Sequence, residues 1–316
     1  MRFAILSLLA PALLVLAAPT AEASRLRAGV TTVTFTKTSV TSGQPRPLAT
    51  VIWYPAAPRT GRLEGLGLRD AEVRRGPFPW IVFSHGSCGS PTESTYLATA
   101  LASRGFVVVA PPHPGNTAND FPACLAGANF IDSALNRVPD VRFIVDAMLA
   151  EASDPSSRFF GRLRTDAIGV AGLSFGGFTA LLAARDEPRF RAALSLVPGG
   201  TEAILQNQIT IPTMVIGSER DLVVGFPASE MAYERLGGPR FLVELLAANH
   251  LSVVDDCRNP VIGSNFCVPA DISQEDAHRL VLHYALPFFR HYLAGRALPA
   301  RALVQGIPGV NLQAEP

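Results

Sequence analysis

Eight short runs along the chain combine apolar and β-branched residues between turn residues, the pattern of β-strands. They are Val30–Lys37, Ala49–Tyr54, Trp80–Ser84, Phe106–Ala110, Ala167–Ala171, Ala192–Val197, Thr213–Gly217 and Phe241–Leu246. The first two alternate, or nearly so, with no helix between them, which predicts an antiparallel start. Several of the others are continuously apolar, as in strands buried on both faces. Helical stretches separate many of them: Thr92–Arg104, Asp140–Ala150, Phe175–Arg185, Ala228–Leu236 and Gln274–Leu293. In the second of these, Val141, Ile144, Val145 and Met148 repeat at helical spacing. Strands alternating with helices predict an α/β chain, its mostly parallel central sheet flanked by helices on both faces. Arg59–Arg75 is polar and glycine-rich and reads as a surface loop. Ala110–Asp132, with several Pro, Gly and Asn, reads as the rim of a cleft. The tail after Leu293 is weakly patterned and reads as a segment wrapping the surface. No repeat or low-complexity linker divides the sequence, so residues 24–316 are expected to form one domain.

Composition narrows the chemistry. The 316 residues are 48% hydrophobic and 17% charged, with a net charge of +1. That balance excludes disorder. It also excludes nucleic-acid binding through bulk electrostatics, because no positive excess faces the phosphates. The 27 basic residues contain a single lysine, Lys37, within Thr-Val-Thr-Phe-Thr-Lys-Thr. Schiff-base, Ser–Lys and phosphate-loop chemistry would all depend on it, and no Gly-x-x-x-x-Gly precedes it.

Met1-Arg2 leads into a mostly apolar run from Phe3 to Ala18 and then Pro19-Thr20-Ala21-Glu22-Ala23. These are the parts of a secretory signal, with cleavage expected after Ala23. The run is shorter than the ~20 residues a bilayer core requires, and no cysteine follows it to carry a lipid, so no stable membrane anchor is expected. Export places the four cysteines in an oxidising compartment. Cys257 and Cys267 enclose a short polar loop and are expected to pair. Cys88 and Cys124 both follow predicted strands and can either meet or remain thiols. No Cys-x-x-Cys or His-x-x-x-His spacing suggests a metal.

The sharpest signal is Gly172-Leu173-Ser174-Phe175-Gly176, between a predicted strand and a predicted helix. A turn this tight leaves no space for side chains at Gly172 and Gly176 and pushes the Ser174 hydroxyl out above the sheet. A serine nucleophile needs a base. Of six histidines, His250 alone follows a predicted strand after the serine, so it is the candidate base. Asp221, after the strand Thr213–Gly217, is the candidate acid that orients it, with Glu219 as runner-up. Asp255 and Asp256 come after the histidine and read as solvent or turn residues. The loop Ser84-His85-Gly86-Ser87-Cys88-Gly89 suits a second oxyanion donor. The backbone N–H groups of Ser87 and Phe175 are the candidates, with His85 bonding locally to hold the loop. Phe175, Leu222, Val223 and Phe226 either line an apolar acyl pocket or belong to the core.

These residues resemble the α/β-hydrolase superfamily. Within it they resemble the secreted dienelactone-hydrolase-like and platelet-activating-factor-acetylhydrolase-like serine esterases. The resemblance rests on Val51-Ile52-Trp53-Tyr54-Pro55, Phe83-Ser84-His85-Gly86, Leu101-Ala102-Ser103-Arg104-Gly105-Phe106, Pro112-His113-Pro114-Gly115-Asn116-Thr117 and Gly172–Gly177. It implies hydrolysis of small-molecule or polymeric carboxylic esters through an acyl-enzyme, with no cofactor and no metal. Dienelactone hydrolases proper use a cysteine where this chain has Ser174. In the acetylhydrolases the acid follows the strand after the nucleophile helix, yet Ala193–Pro198 holds no carboxylate. Asp221, one strand later, resembles the layout of bacterial cutinase-like polyester hydrolases. Two other functions share the serine turn or the fold. A serine peptidase of the prolyl-oligopeptidase type usually carries a large extra domain, for which this chain has no room. A non-catalytic binding protein would have lost a triad member, and none is missing.

Overall fold

The computed structural model describes residues 26–64, 67–204, 206–255, 270–297 and 303–316. The expected signal sequence and the Cys257–Cys267 pair lie outside them.

The chain starts with β1 (Ala28–Thr38) and β2 (Pro45–Pro55), paired antiparallel over their full lengths from Ala28–Pro55 to Thr38–Pro45. Next come the three-residue strands β3 (Arg62–Glu64) and β4 (Gly67–Arg69), an antiparallel pair inside the expected surface loop, with β4 also joining β1. Then follow β5 (Phe78–Ser84), α1 (Thr95–Ala102), β6 (Val107–Ala110), α2 (Gly127–Ser153), β7 (Leu163–Leu173) and α3 (Phe175–Asp186). The chain closes with β8 (Phe190–Leu196), β9 (Thr213–Ser218), α4 (Phe226–Glu234), β10 (Arg240–Leu245), α5 (Gln274–Tyr292) and β11 (Val310–Glu315). All strands form one sheet in the order β11-β10-β9-β8-β7-β5-β6-β2-β1-β4-β3. The run from β10 to β6 is parallel, and β2 and β11 join its two sides antiparallel.

Two cores follow from the two faces of the sheet. Side chains alternate along a strand, so β5 sends Ile81 and Phe83 to one face and Trp80 and Val82 to the other. The first face is covered by α1 and α5, where Leu97, Leu101, Val281, Tyr284 and Phe288 are buried. The second is covered by α2, α3 and α4 through Val141, Ile144, Met148, Leu181 and Tyr233. α5 shows the local logic. Ser273 accepts from the Asp276 N–H at 3.0 Å as an N-cap, acidic Glu275 and Asp276 follow, and Arg290 and His291 close the last turn. Both charge placements suit the helix dipole.

Because the central strands are parallel, their carboxyl ends lie on one side of the sheet. The loops after β5, β7, β9 and β10 all emerge there, which is where such sheets hold their ligands. The tail does more than wrap: β11 extends the sheet, pairing Val310 to Glu315 with Leu245 to Arg240. α2 begins at Gly127, well before the expected Asp140, and carries Pro139 within it. No described helix is long and apolar enough to cross a membrane.

Candidate active site

Ser174 stands between β7 and α3 with φ 55° and ψ −119°, a left-handed backbone that non-glycine residues rarely adopt. Its N–H donates to Leu196 O at 2.8 Å and its carbonyl accepts from Phe178 N at 3.0 Å, so strand and helix hold it from both sides. The two flanking glycines allow the turn. A Cβ on Gly172 would lie 2.1 Å from Gly176 O, and one on Gly176 would lie 1.9 Å from Ser84 O. Those atoms are backbone, so only hydrogen fits there. Phe175 is the first residue of α3, and its N–H has no carbonyl a turn earlier to bond within the helix.

Asp221 and His250 are brought together. Asp221 follows β9 and His250 opens a short 3-10 turn, His250–Val253, after β10. His250 Nδ1 and Asp221 Oδ2 are 2.6 Å apart, and both residues are 6% exposed. The other carboxylate oxygen accepts from Val223 N at 2.8 Å and Val224 N at 3.0 Å. Burial opposes the charge on Asp221, but the bond and charge of His250 and the two backbone N–H groups outweigh it and hold the carboxyl below its usual range. An ionised carboxylate only accepts, so Nδ1 carries a proton, and in the neutral form of the ring Nε2 is the acceptor. Glu219, the runner-up, instead accepts from Ala247 N at 2.7 Å. Asp255 is neither free nor in a simple turn: its carboxylate caps α1, accepting from Thr95 N at 2.7 Å and Tyr96 N at 3.0 Å.

The loop after β5 is fixed from several directions. Cys88 and Cys124 form a disulfide with their Cα atoms 5.6 Å apart. Asn116 Nδ2 donates to Ser87 Oγ at 3.2 Å and to Cys124 O at 2.9 Å. His85 bonds its neighbour, Nδ1 to Gly86 O at 2.7 Å, and accepts from His113 N at 2.9 Å. Leu222 and Val223 are 84% and 51% exposed beside Asp221, while Phe226 packs against Gly217 and the core under α4.

The profile of the PET hydrolase-like family matches residues 74–266. The chain belongs to the PET hydrolase-like family. Its curated relatives include cutinase est2 of Thermobifida alba, 30% identical over 175 residues, 54% of this chain and 52% of that protein. Bis(hydroxyethyl) terephthalate hydrolase of Streptomyces coelicolor is 28% identical over 180 residues, 56% of this chain and 52% of that one. Esterase YjfP of Escherichia coli is 25% identical over 238 residues, 71% of this chain and 86% of its own. The chain thus spans about half the length of the cutinases it matches. Among solved structures, a ferulic acid esterase from Streptomyces cinnamoneus superposes with a TM-score of 0.73 at 24% identity, covering 93% of this chain and 98% of that one. That likeness establishes the α/β-hydrolase fold.

The PET hydrolase-like chain also buries a polar cluster behind the loop after β5, of which only Ser84 and His113 stand within the motifs quoted above. Arg137 and Asp140 of α2, Arg46 of β2, His113 and Ser84 are all nearly inaccessible. Asp140 receives Arg46 at 3.1 Å, Lys37 Nζ at 3.4 Å and His113 Nδ1 at 3.1 Å. His113 Nε2 lies 2.8 Å from Ser84 Oγ. Burial, then the charge of Arg137, pushes both His85 and His113 well below the usual histidine range, so both rings are neutral. A signal for Arg137 exists in the sequence. It shares the helical stripe of Val141, Ile144 and Met148, where a charge must find partners inside the protein.

Proposed function

We propose that this chain is a serine hydrolase that cleaves carboxylic esters, with Ser174 as nucleophile, His250 as general base and Asp221 as the orienting acid. Ser174 Oγ attacks the ester carbonyl while His250 Nε2 takes its proton. The carbonyl oxygen becomes an anion and accepts from the N–H groups of Phe175 and Ser87. The tetrahedral adduct collapses, and the alcohol leaves with the proton from His250. Water, deprotonated by the same ring, then attacks the acyl-serine; in a second collapse the bond to Ser174 Oγ breaks, His250 returns the proton to that oxygen, and the acid leaves. Asp221 stays ionised throughout and holds the imidazole in the tautomer the cycle needs.

One observation carries the reading: the buried Asp221–His250 bond of 2.6 Å, on the side of the sheet where the left-handed Ser174 turn emerges. The relatives named as cutinases, esterases and a terephthalate ester hydrolase support the same chemistry. The exposed Leu222 and Val223 favour esters with an apolar acyl or polymer part. Export through residues 1–23 belongs to this proposal, supported by the leader pattern and by the Cys88–Cys124 bond, which persists in oxidising compartments.

The test is labelling with a fluorophosphonate and mass mapping of the adduct, alongside hydrolysis of p-nitrophenyl esters by the parent and Ser174→Ala. One adduct on Ser174 and loss of turnover in the variant are expected. Parent-rate hydrolysis by Ser174→Ala overturns the proposal.

A further inference from the structure

We infer that Arg137 is the positioning residue of the oxyanion hole, tying the loop after β5 to the start of α3 so that the N–H groups of Ser87 and Phe175 converge. The inference rests on the esterase reading above and extends it to a residue outside the triad.

A buried guanidinium requires acceptors for its N–H groups. Arg137 is 1% exposed and carries five N–H donors in a rigid fork. One terminal nitrogen donates to His85 O at 2.7 Å and to Ser84 Oγ at 3.2 Å. The other donates to Gly86 O at 3.1 Å and to Asn116 Oδ1 at 2.8 Å. Burial pulls the guanidinium down to about 9, against the pull of Glu93 and Asp140, so it stays charged at neutral pH. Two of its four acceptors are consecutive carbonyls of the one loop that supplies a candidate oxyanion donor.

Peptide geometry converts those contacts into direction. A trans peptide is planar, and its C=O and N–H point opposite ways. The carbonyl of Gly86 and the N–H of Ser87 belong to one such plane. Arg137, His85 Nδ1 and the Gly89 N–H all converge on that carbonyl, the last at 3.2 Å. Holding the carbonyl therefore aims the Ser87 N–H the other way. The preceding plane is gripped at both ends, with His85 O on Arg137 and the Gly86 N–H on Glu93 Oε1 at 2.6 Å.

The same side chain reaches the second donor. The guanidinium carbon sits 4.3 Å from the centre of the Phe175 ring. Phe130, two helical turns before Arg137 on α2, stacks on that ring at 4.7 Å and 14°. The residue whose backbone N–H starts α3 is thereby docked to the residue that orients the Ser87 peptide. Lysine cannot reproduce this, because a point charge cannot serve two consecutive carbonyls and a ring face at once.

Arg137→Lys, which keeps the charge and loses the fork, tests the role. Rates are measured on p-nitrophenyl butyrate and divided by the sites titrated with fluorophosphonate. A boronic acid serves as the tetrahedral mimic and an unreactive amide analogue as the ground-state mimic. The expected result is a kcat lower by about 10- to 100-fold, less than or comparable to loss of one oxyanion donor. KM and amide affinity stay within about three-fold, and boronate affinity falls in step with kcat. A purely structural role would lower the titratable fraction and Tm and leave kcat per site unchanged; that outcome overturns the inference. If Arg137→Lys does not fold, Phe175→Leu removes the ring beneath the guanidinium and keeps the N–H. The same kcat and boronate losses are then expected, and parent-like values overturn the inference. A parent protein that neither turns over esters nor labels Ser174 overturns the esterase reading itself, whereas an active parent with an unimpaired Arg137→Lys overturns only the positioning role.

Discussion

Glu93 offers a quantitative test of how the loop after β5 is held. Its carboxyl lies against the loop and accepts from the Gly86 N–H at 2.6 Å. Burial raises its pKa, and the bonds to Gly86 and Ser90 and the charge of Arg137 only partly offset this, so it stands at about 8 against an ordinary 4.5. Between those two values the folded chain keeps a proton that the unfolded chain has released. Stability from this group is therefore full below about pH 4.5 and is lost as pH rises through about 8. At about 1.4 kcal/mol per pH unit, with allowance for water reaching a half-buried residue, the loss between pH 5 and 9 is about 2–4 kcal/mol. Glu93→Gln keeps an oxygen for the Gly86 N–H and removes the titration. Urea unfolding of parent and variant at pH 5, 7 and 9 reads the difference directly. The two should be alike at pH 5, and the variant should be the more stable by the stated amount at pH 9. A difference that stays constant across the three pH values would refute the reasoning.

Other tests address the turn, the acid and the disulfide. Gly176→Ala should abolish the active fold, because its Cβ would lie 1.9 Å and 2.5 Å from the carbonyl oxygens of Ser84 and His85; circular dichroism and ester turnover read this out. Asp221→Asn should leave KM near the parent value and lower kcat by roughly 10³- to 10⁴-fold, since the amide no longer enforces the His250 tautomer. Replacing Cys88 and Cys124 together by serine opens a loop with a sequence separation of 36. It should cost about 3–4 kcal/mol in urea unfolding on the chain-entropy picture.

Much of the fold is readable where tertiary structure and local pattern agree. The strands from β5 to β10 are apolar runs between turns, and Ser174 sits in a spacing with few steric solutions. The missed parts are those whose form depends on contacts with distant residues. The first half of α2 does not show its apolar stripe because its buried face there is polar: Ser133, Asn136, Arg137 and Asp140 point inward. β3 and β4 are three residues each and exist through pairing with one another and, for β4, with β1. β11 does alternate, with Val310, Leu312 and Ala314 inward of Asn311, Gln313 and Glu315. It becomes a strand by completing the open edge of β10. The pairing of Cys88 with Cys124 required the fold, since spacing alone leaves the partner open.

The lone lysine has a practical corollary. Lys37 is only 8% exposed and faces Asp140, so reagents that seek primary amines find no open lysine among the described residues. Aldehyde or active-ester chemistry would then leave the arginine-rich exterior of the described residues unmodified.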